Sequence, residues 1–344
     1  MMTKKRSYLV LIFLTVLFMA GCKDGVQSQS NKVWVEQAKL QTHQGSYFIK
    51  GVCYHPVDKG QTKRSFERLT QDLDLMRKAG INTIRVYEPI DSEEVLDEIY
   101  KAGIRVIVSF GYNQQGRYDL RSGSYLDYVR KYKEHPAILL WELGNEYNYH
   151  PEWFGGSLDL WYTTAAQAIT EIHKIDSEHP VASAHGEVPT KEVIQQLNEL
   201  DLWGLNVYRW DESHKAIEDF NRLSDKAVYF SELGADSYMT SAKLGYEQGK
   251  NQKAQADALA KMLSQILTPQ TRSVGVAIFS FTDGWWKAGN PESQDVGGWA
   301  PGSSGVPYDA TANEEYWGIV DIDRNTKEVY AVIQSSFKAY RESE

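Results

Sequence analysis

Eight short β-rich runs recur along the chain, at Phe48–Tyr54, Asn82–Tyr87, Arg105–Phe110, Ile138–Leu143, Val181–His185, Leu202–Tyr208, Ala227–Leu233 and Val274–Phe281. Most are apolar nearly throughout rather than alternating, the pattern of strands buried on both faces. Segments of helical period lie between them. Phe66, Leu69, Leu73, Met76 and Ala79 form one stripe closed by Gly80, and Val95, Ile99 and Ala102 form another closed by Gly103. Ala165-Ile169-Ile172 and Ala258-Met262-Ile266 supply two more, and a last helix is predicted over about Val329 to Tyr340. At roughly 150 residues per domain, 344 residues could hold two domains. Eight β-then-α units without a composition break predict instead a single α/β domain, a (β/α)8 TIM barrel. Such a barrel carries its chemistry where strands end at the C-terminal edge, so the residues to inspect are those at the ends of the eight strands.

The chain before the barrel reads differently. Lys4, Lys5 and Arg6 precede an apolar run from Tyr8 to Ala20, too short for a membrane span and flanked like an export signal. The run ends in Met19-Ala20-Gly21-Cys22, which resembles a bacterial lipobox. The expected organisation is a signal peptide over 1–21, a lipidated Cys22 with a polar tether over 22–45, and the catalytic barrel over 46–344. This predicts an exported lipoprotein of the bacterial cell envelope, held on a membrane by acyl chains. Lipidation leaves Cys53 without a disulfide partner, so an apolar core must carry the stability. The formal net charge of −9 argues against a nucleic-acid partner. Zinc spacing, a phosphate loop and a nucleophile elbow are all missing, so neither metal nor cofactor is expected, and no protein partner is indicated.

Two strand ends stand out. The fourth run leads into Trp141-Glu142-Leu143-Gly144-Asn145-Glu146, and the seventh into Tyr229-Phe230-Ser231-Glu232-Leu233-Gly234. Each places a carboxylate at the mouth of the barrel. Two carboxylates across one cleft are what acetal hydrolysis needs, one protonated to donate to the leaving oxygen and the other to attack or to activate water. A high aromatic content, 12% with 10 Trp and 21 Tyr, suits the apolar faces of sugar rings.

The Asn145-Glu146 pair, followed by Ser231-Glu232 in a later strand, resembles the clan A glycoside hydrolases. Phe48-Ile49-Lys50-Gly51-Val52, Ala79 to Tyr87 (AGINTIRVY) and Ala102 to Ile107 (AGIRVI) resemble both the family 2 barrel and the family 72 β-1,3-glucanosyltransferases. Tyr229 to Asp236 (YFSELGAD) and the tail Trp317-Gly318-Ile319-Val320-Asp321, with Arg324 and Lys327, lean towards family 2. The matches run from about residue 46 to 340. The resemblance implies Glu146 as acid/base and Glu232 as nucleophile of a retaining double displacement, for which carboxyl groups about 5–5.5 Å apart are needed. It further implies Asn145 on the sugar 2-hydroxyl, Arg85 beneath Glu232, Tyr208 donating to Glu232, and Trp286 flooring the sugar site. His55, Glu88 and His185 also follow strands and are candidates for sugar hydroxyls. Trp299 and Trp153, in the aromatic stretches Thr282–Tyr316 and Tyr147–Phe154, are candidates for stacking further sugar units.

Family 2 enzymes usually carry β-sandwich domains before the barrel, whereas about 25 residues separate Cys22 from the first strand. The expected activity is therefore hydrolysis or transglycosylation of a β-glucan, with the family 72 likeness pointing to β-1,3 linkages. The alternatives are an exo-β-glycosidase of the galactosidase or glucuronidase type, and a non-catalytic glycan-binding lipoprotein.

Overall fold

A computed structural model describes residues 31–112, 117–209, 212–268, 271–296, 299–301 and 311–340. The segment expected to be a signal peptide, and Cys22, lie outside the described residues. Eight parallel strands close into a barrel: β1 (Ile49–Cys53), β2 (Thr83–Val86), β3 (Arg105–Phe110), β4 (Ile138–Leu143), β5 (Val181–Gly186), β6 (Leu202–Asn206), β7 (Ala227–Leu233) and β8 (Gly275–Ile278). Each pairs with its sequence neighbours, and β8 closes on β1 with Gly275 opposite Ile49. The fold is thus the single (β/α)8 barrel that the run of buried strands predicts.

Among the described residues eight helices cover the outside: α1 (Leu69–Ala79), α2 (Glu93–Lys101), α3 (Tyr125–Tyr132), α4 (Asp159–Ile175), α5 (Lys191–Gln196), α6 (Ser213–Leu223), α7 (Gln252–Ile266) and α8 (Glu328–Ala339). Local chemistry sets their ends. Ser92 caps α2 by accepting from the Val95 N–H at 3.2 Å, and Asn251 caps α7 through the Ala254 N–H at 3.0 Å. Gly80 ends α1 in the left-handed region at φ 81°, where its N–H reaches the Arg77 carbonyl. The stripe that sequence periodicity marks on α1 buries Leu69, Leu73, Met76 and Ala79 against the barrel.

Residues 33–45, expected within the tether, form instead, with Ser46, an antiparallel three-stranded sheet, Val33–Glu36, Lys39–Thr42 and Gly45–Ser46. Its Val33 and Leu40 are fully buried in one cluster with Ile49, Ile107, Leu140, Ala182, Leu202 and Tyr229. The sheet plugs the N-terminal end of the barrel, and the compact unit begins at Asn31. Burial of these apolar side chains is what draws the segment out of a tether and into the domain.

At the other end the chain is strapped down by buried charge. Arg324 donates to Asp72 of α1 at 2.9 Å, and Tyr54 donates to the same carboxylate at 2.9 Å. Lys327 Nζ sits 3.0 Å from Asp283, whose carboxyl is pushed above the ordinary range by burial. These ties fix the segment after β8 beside the mouth of the barrel. The long stretch expected over Thr282–Tyr316 contains a 3-10 turn, Trp285–Lys287, and a short antiparallel pair, Trp299–Pro301 with Thr311–Asn313.

Candidate active site

A cavity of about 820 Å³ opens at the C-terminal end of the barrel, and both Glu146 and Glu232 line it. Glu146 arrives there by a strained turn. After β4 the backbone enters the left-handed region at Gly144 (φ 69°) and again at Glu146 (φ 55°). Only glycine fits the first position, because a Cβ would lie 2.7 Å from the Trp161 ring. At Glu146 the conformation costs on the order of 1–3 kcal/mol, and strain of this size gathers at functional sites.

Glu232, on β7, is held from both oxygens. Oε1 accepts from Arg85 Nη1 at 2.9 Å and from the Tyr87 hydroxyl at 2.7 Å, while Oε2 accepts from the Tyr208 hydroxyl at 2.7 Å. Burial and the neighbouring Glu232 charge raise the pKa of Glu146 to about 7, opposed by an Asn206 hydrogen bond and by Arg85, with Glu314 adding to the rise. The two glutamates therefore occupy unlike surroundings. One is poised to hold a proton near neutrality, and the other is a fixed acceptor of three hydrogen bonds. That division is the one an acid/nucleophile pair requires.

Arg85 organises the floor. Its guanidinium, fully buried, donates through Nε to Glu142 at 2.8 Å, through Nη1 to Glu232, and through Nη2 to Asn145 Oδ1 at 2.8 Å. Glu142 is also fully buried and accepts from Ser109 and Tyr229. Asn206 donates to Asn145 Oδ1 at 3.0 Å and accepts from Ser231 at 2.6 Å. With its oxygen engaged twice, Asn145 has its amide N–H to offer the cavity.

Trp286, His55 and Glu88 join Asn145 and Tyr208 on the cavity wall. His55 packs against Trp286 with centroids 5.1 Å apart, and burial lowers its pKa to about 4, so the ring is neutral at pH 7. Its Nδ1 is buried without a protein partner, as is Nε1 of Trp317, which also lines the cavity. His185 is not brought to the cavity: it is buried against Trp203, with Nδ1 3.0 Å from the Glu187 carbonyl and Nε2 3.4 Å from Tyr162. Its side chain turns towards Tyr162 of α4 and Trp203 of β6 rather than into the cavity, so a place at a strand end does not by itself bring a residue to the mouth. Trp299 pairs across from Asn313 in the short sheet, and its side chain lies outside the described residues.

Tyr87, Asn206, Lys287, Glu314 and Trp317 also line the cavity and Glu142 supports its floor through Arg85, roles that the strand-end reading does not assign them. For Tyr87 and Asn206 a signal was present, since each stands two residues from a chosen one (Arg85, Tyr208) at or just past a strand end, where alternate residues share a face. Glu314 and Trp317 lie more than thirty residues beyond β8, and the folding of the intervening stretch brings them in.

No family model and no curated protein matches the sequence. Solved structures do match. A GH2 β-galacturonidase from Eisenbergiella tayi, bound to galacturonate, superposes with a TM-score of 0.67 at 19% identity over 91% of this chain and 55% of its own. A β-D-glucuronidase from Dictyoglomus thermophilum gives 0.66 at 17% identity, over 91% and 54%. A Faecalibacterium prausnitzii β-glucuronidase gives 0.64 at 19%, over 91% and 52%. The chain spans about half the length of these proteins. The expected resemblance holds at the level of fold: this is a (β/α)8 barrel of the kind that glycoside hydrolase family 2 enzymes carry.

Proposed function

We propose that the protein is a retaining β-glycosidase in which Glu146 is the acid/base and Glu232 the nucleophile. The single observation that carries this reading is the contrast between the two carboxyls, Glu146 raised to about 7 and Glu232 fixed by Arg85, Tyr87 and Tyr208. In the first step Glu232 attacks the anomeric carbon while Glu146 protonates the departing oxygen. In the second, Glu146 takes a proton from water, or from a sugar hydroxyl in transglycosylation, as the glycosyl–enzyme bond breaks. Asn145 would donate to the 2-hydroxyl as positive charge develops on the ring. Trp286, His55 and Glu88 would contact the sugar held against Glu232.

Of the two substrate readings, release of a terminal sugar has the better support. The β-glucan reading rests on sequence likeness to family 72, whereas the structures that share this barrel are described as β-galacturonidases and β-glucuronidases. Tyr149 lines the cavity while about half exposed, and Trp153 is equally exposed and stacked on His150 at 4.0 Å. These rings favour a substrate with at least one further sugar beyond the cleaved bond. We further propose that Cys22 anchors the exported protein to a membrane, a state that Cys22→Ser would abolish.

The test is a panel of aryl β-glycosides and of laminari- and cello-oligosaccharides, run on the wild type and Glu232→Gln. Chromophore release from simple aryl glycosides, lost in the variant, supports the exo reading. New chain lengths without such release would favour the β-glucan reading. Binding without any product would favour a glycan-binding lipoprotein.

A further inference from the structure

The cavity walls carry much more negative than positive charge. Glu88, Glu146, Glu187, Glu232 and Glu314 line it, and Lys287 is the one Lys or Arg among the described lining residues. That lysine is already engaged, with Nζ 3.0 Å from Glu314 Oε2 and 4.3 Å from the centroid of the Phe279 ring.

Three arginines behind the walls are engaged as well. Arg209 reaches both Glu187 and Asp219 at 2.6 Å. Arg64 donates to the carbonyls of Glu88 and Pro89 and lies 3.9 Å from the Glu88 carboxylate. Arg85 is shared between Glu142 and Glu232. The internal segments outside the described residues (113–116, 210–211, 269–270, 297–298 and 302–310) contain no Lys, Arg or His.

A glycone bearing its own carboxylate would bring a further negative charge into this partly desolvated space. It would then stay unpaired among like charges or have to displace Glu314 from Lys287. A neutral sugar meets no such conflict, because its hydroxyls donate to the wall carboxylates. Given a glycosidase pocket, as proposed above, we infer that it takes an uncharged glycone and rejects uronates, and that Glu314 sets this preference by occupying Lys287. The inference separates this chain from the uronidases whose fold it shares, since repulsion against the wrong substrate is as effective a source of specificity as attraction to the right one.

Two measurements test it on the mature protein. In the first, kcat/KM is compared for 4-nitrophenyl β-glucoside, β-galactoside, β-glucuronide and β-galacturonide. The better neutral substrate is expected to exceed both uronides by about 100-fold or more. Glu314→Gln, which releases Lys287, is expected to raise the uronide-to-neutral ratio about tenfold, and Glu314→Gln with Lys287→Met to cancel that gain. In the second, wild-type binding of glucose, galactose, glucuronate and galacturonate is measured by ligand-observed NMR, which needs no turnover. Binding confined to the neutral sugars supports the inference even if none of the four aryl glycosides is cleaved, an outcome that would count against the proposed catalysis alone. Uronides cleaved or uronates bound as well as their neutral counterparts would overturn the inference, as would binding of no sugar. An unchanged ratio in Glu314→Gln would overturn the role of that residue.

Discussion

Arg85 donates through Nε to Glu142 at 2.8 Å while its Nη1 and Nη2 donate to Glu232 and Asn145, and the side chains of Arg85 and Glu142 are fully buried. Glu142 touches no part of the cavity. It holds the guanidinium, and through it Glu232, proposed as the nucleophile, and the Asn145 amide, proposed to read the 2-hydroxyl. Glu142→Gln keeps the shape and removes the charge. The expected result is a fall in kcat of about 10–100-fold with KM little altered, because the loss is in transition-state geometry rather than ground-state binding. A change confined to KM, or to thermal stability, would contradict this role.

Tyr87 and Tyr208 each donate 2.7 Å hydrogen bonds to Glu232. A hydrogen bond to a charged group contributes about 1.5–3 kcal/mol, so Tyr208→Phe and Tyr87→Phe should each lower kcat/KM by roughly 10–100-fold. Both rings remain, so circular dichroism and Tm should change little. Wild-type kinetics in either variant would remove that tyrosine from the mechanism.

The raised pKa of Glu146 fixes the direction of the pH dependence. If its protonated form donates to the leaving group, kcat/KM should fall above pH 7 by about tenfold per unit. Glu314 contributes to the rise, so Glu314→Gln should move this limb to lower pH. Stability follows the same proton. A carboxyl whose folded pKa exceeds its unfolded value of 4.5 stabilises fully below pH 4.5, and that contribution is lost as the pH rises through 7. Glu146→Gln should therefore match the wild type at pH 4 and be more stable at pH 8, by about 3 kcal/mol. Denaturant unfolding at both pH values checks the sign.

The buried pairs Arg324–Asp72 and Lys327–Asp283 strap the segment after β8 beside the cavity. Removing one partner leaves a charge buried and alone, at a cost of about 3–5 kcal/mol. Lys327→Met should accordingly lower Tm by several degrees. It should also raise KM, because Trp286 and Lys287 lie in the segment that Asp283 holds. An unchanged Tm would show that the pair is not buried in solution.

Much of this arrangement is legible in the sequence because buried parallel strands are nearly continuous apolar runs, so β3, β4 and β7 take the limits that their runs predict. Fold class then places Glu146 and Glu232 at one mouth without any knowledge of side-chain packing. What the strand-end rule does not reach is of three kinds. His185 stands at a strand end but packs outward between β5 and the helices, a choice made by Trp203 and Tyr162 rather than by its position. Glu314 and Trp317 sit far past β8 and reach the cavity only because the stretch folds back and is tied by Lys327 and Arg324. The sheet at Val33–Ser46 is a third case, since three short strands mean little in isolation and become stable by covering the open end of a barrel.

The most direct test of the central claim is the configuration of the first product released. Proton NMR of the anomeric signal, recorded within the first minutes of cleavage of an aryl β-glycoside, distinguishes double from single displacement. The β-anomer appearing first is the predicted result, with Glu232→Gln releasing neither anomer. The α-anomer appearing first would contradict Glu232 as nucleophile, and undiminished β-anomer formation by Glu232→Gln would contradict it equally.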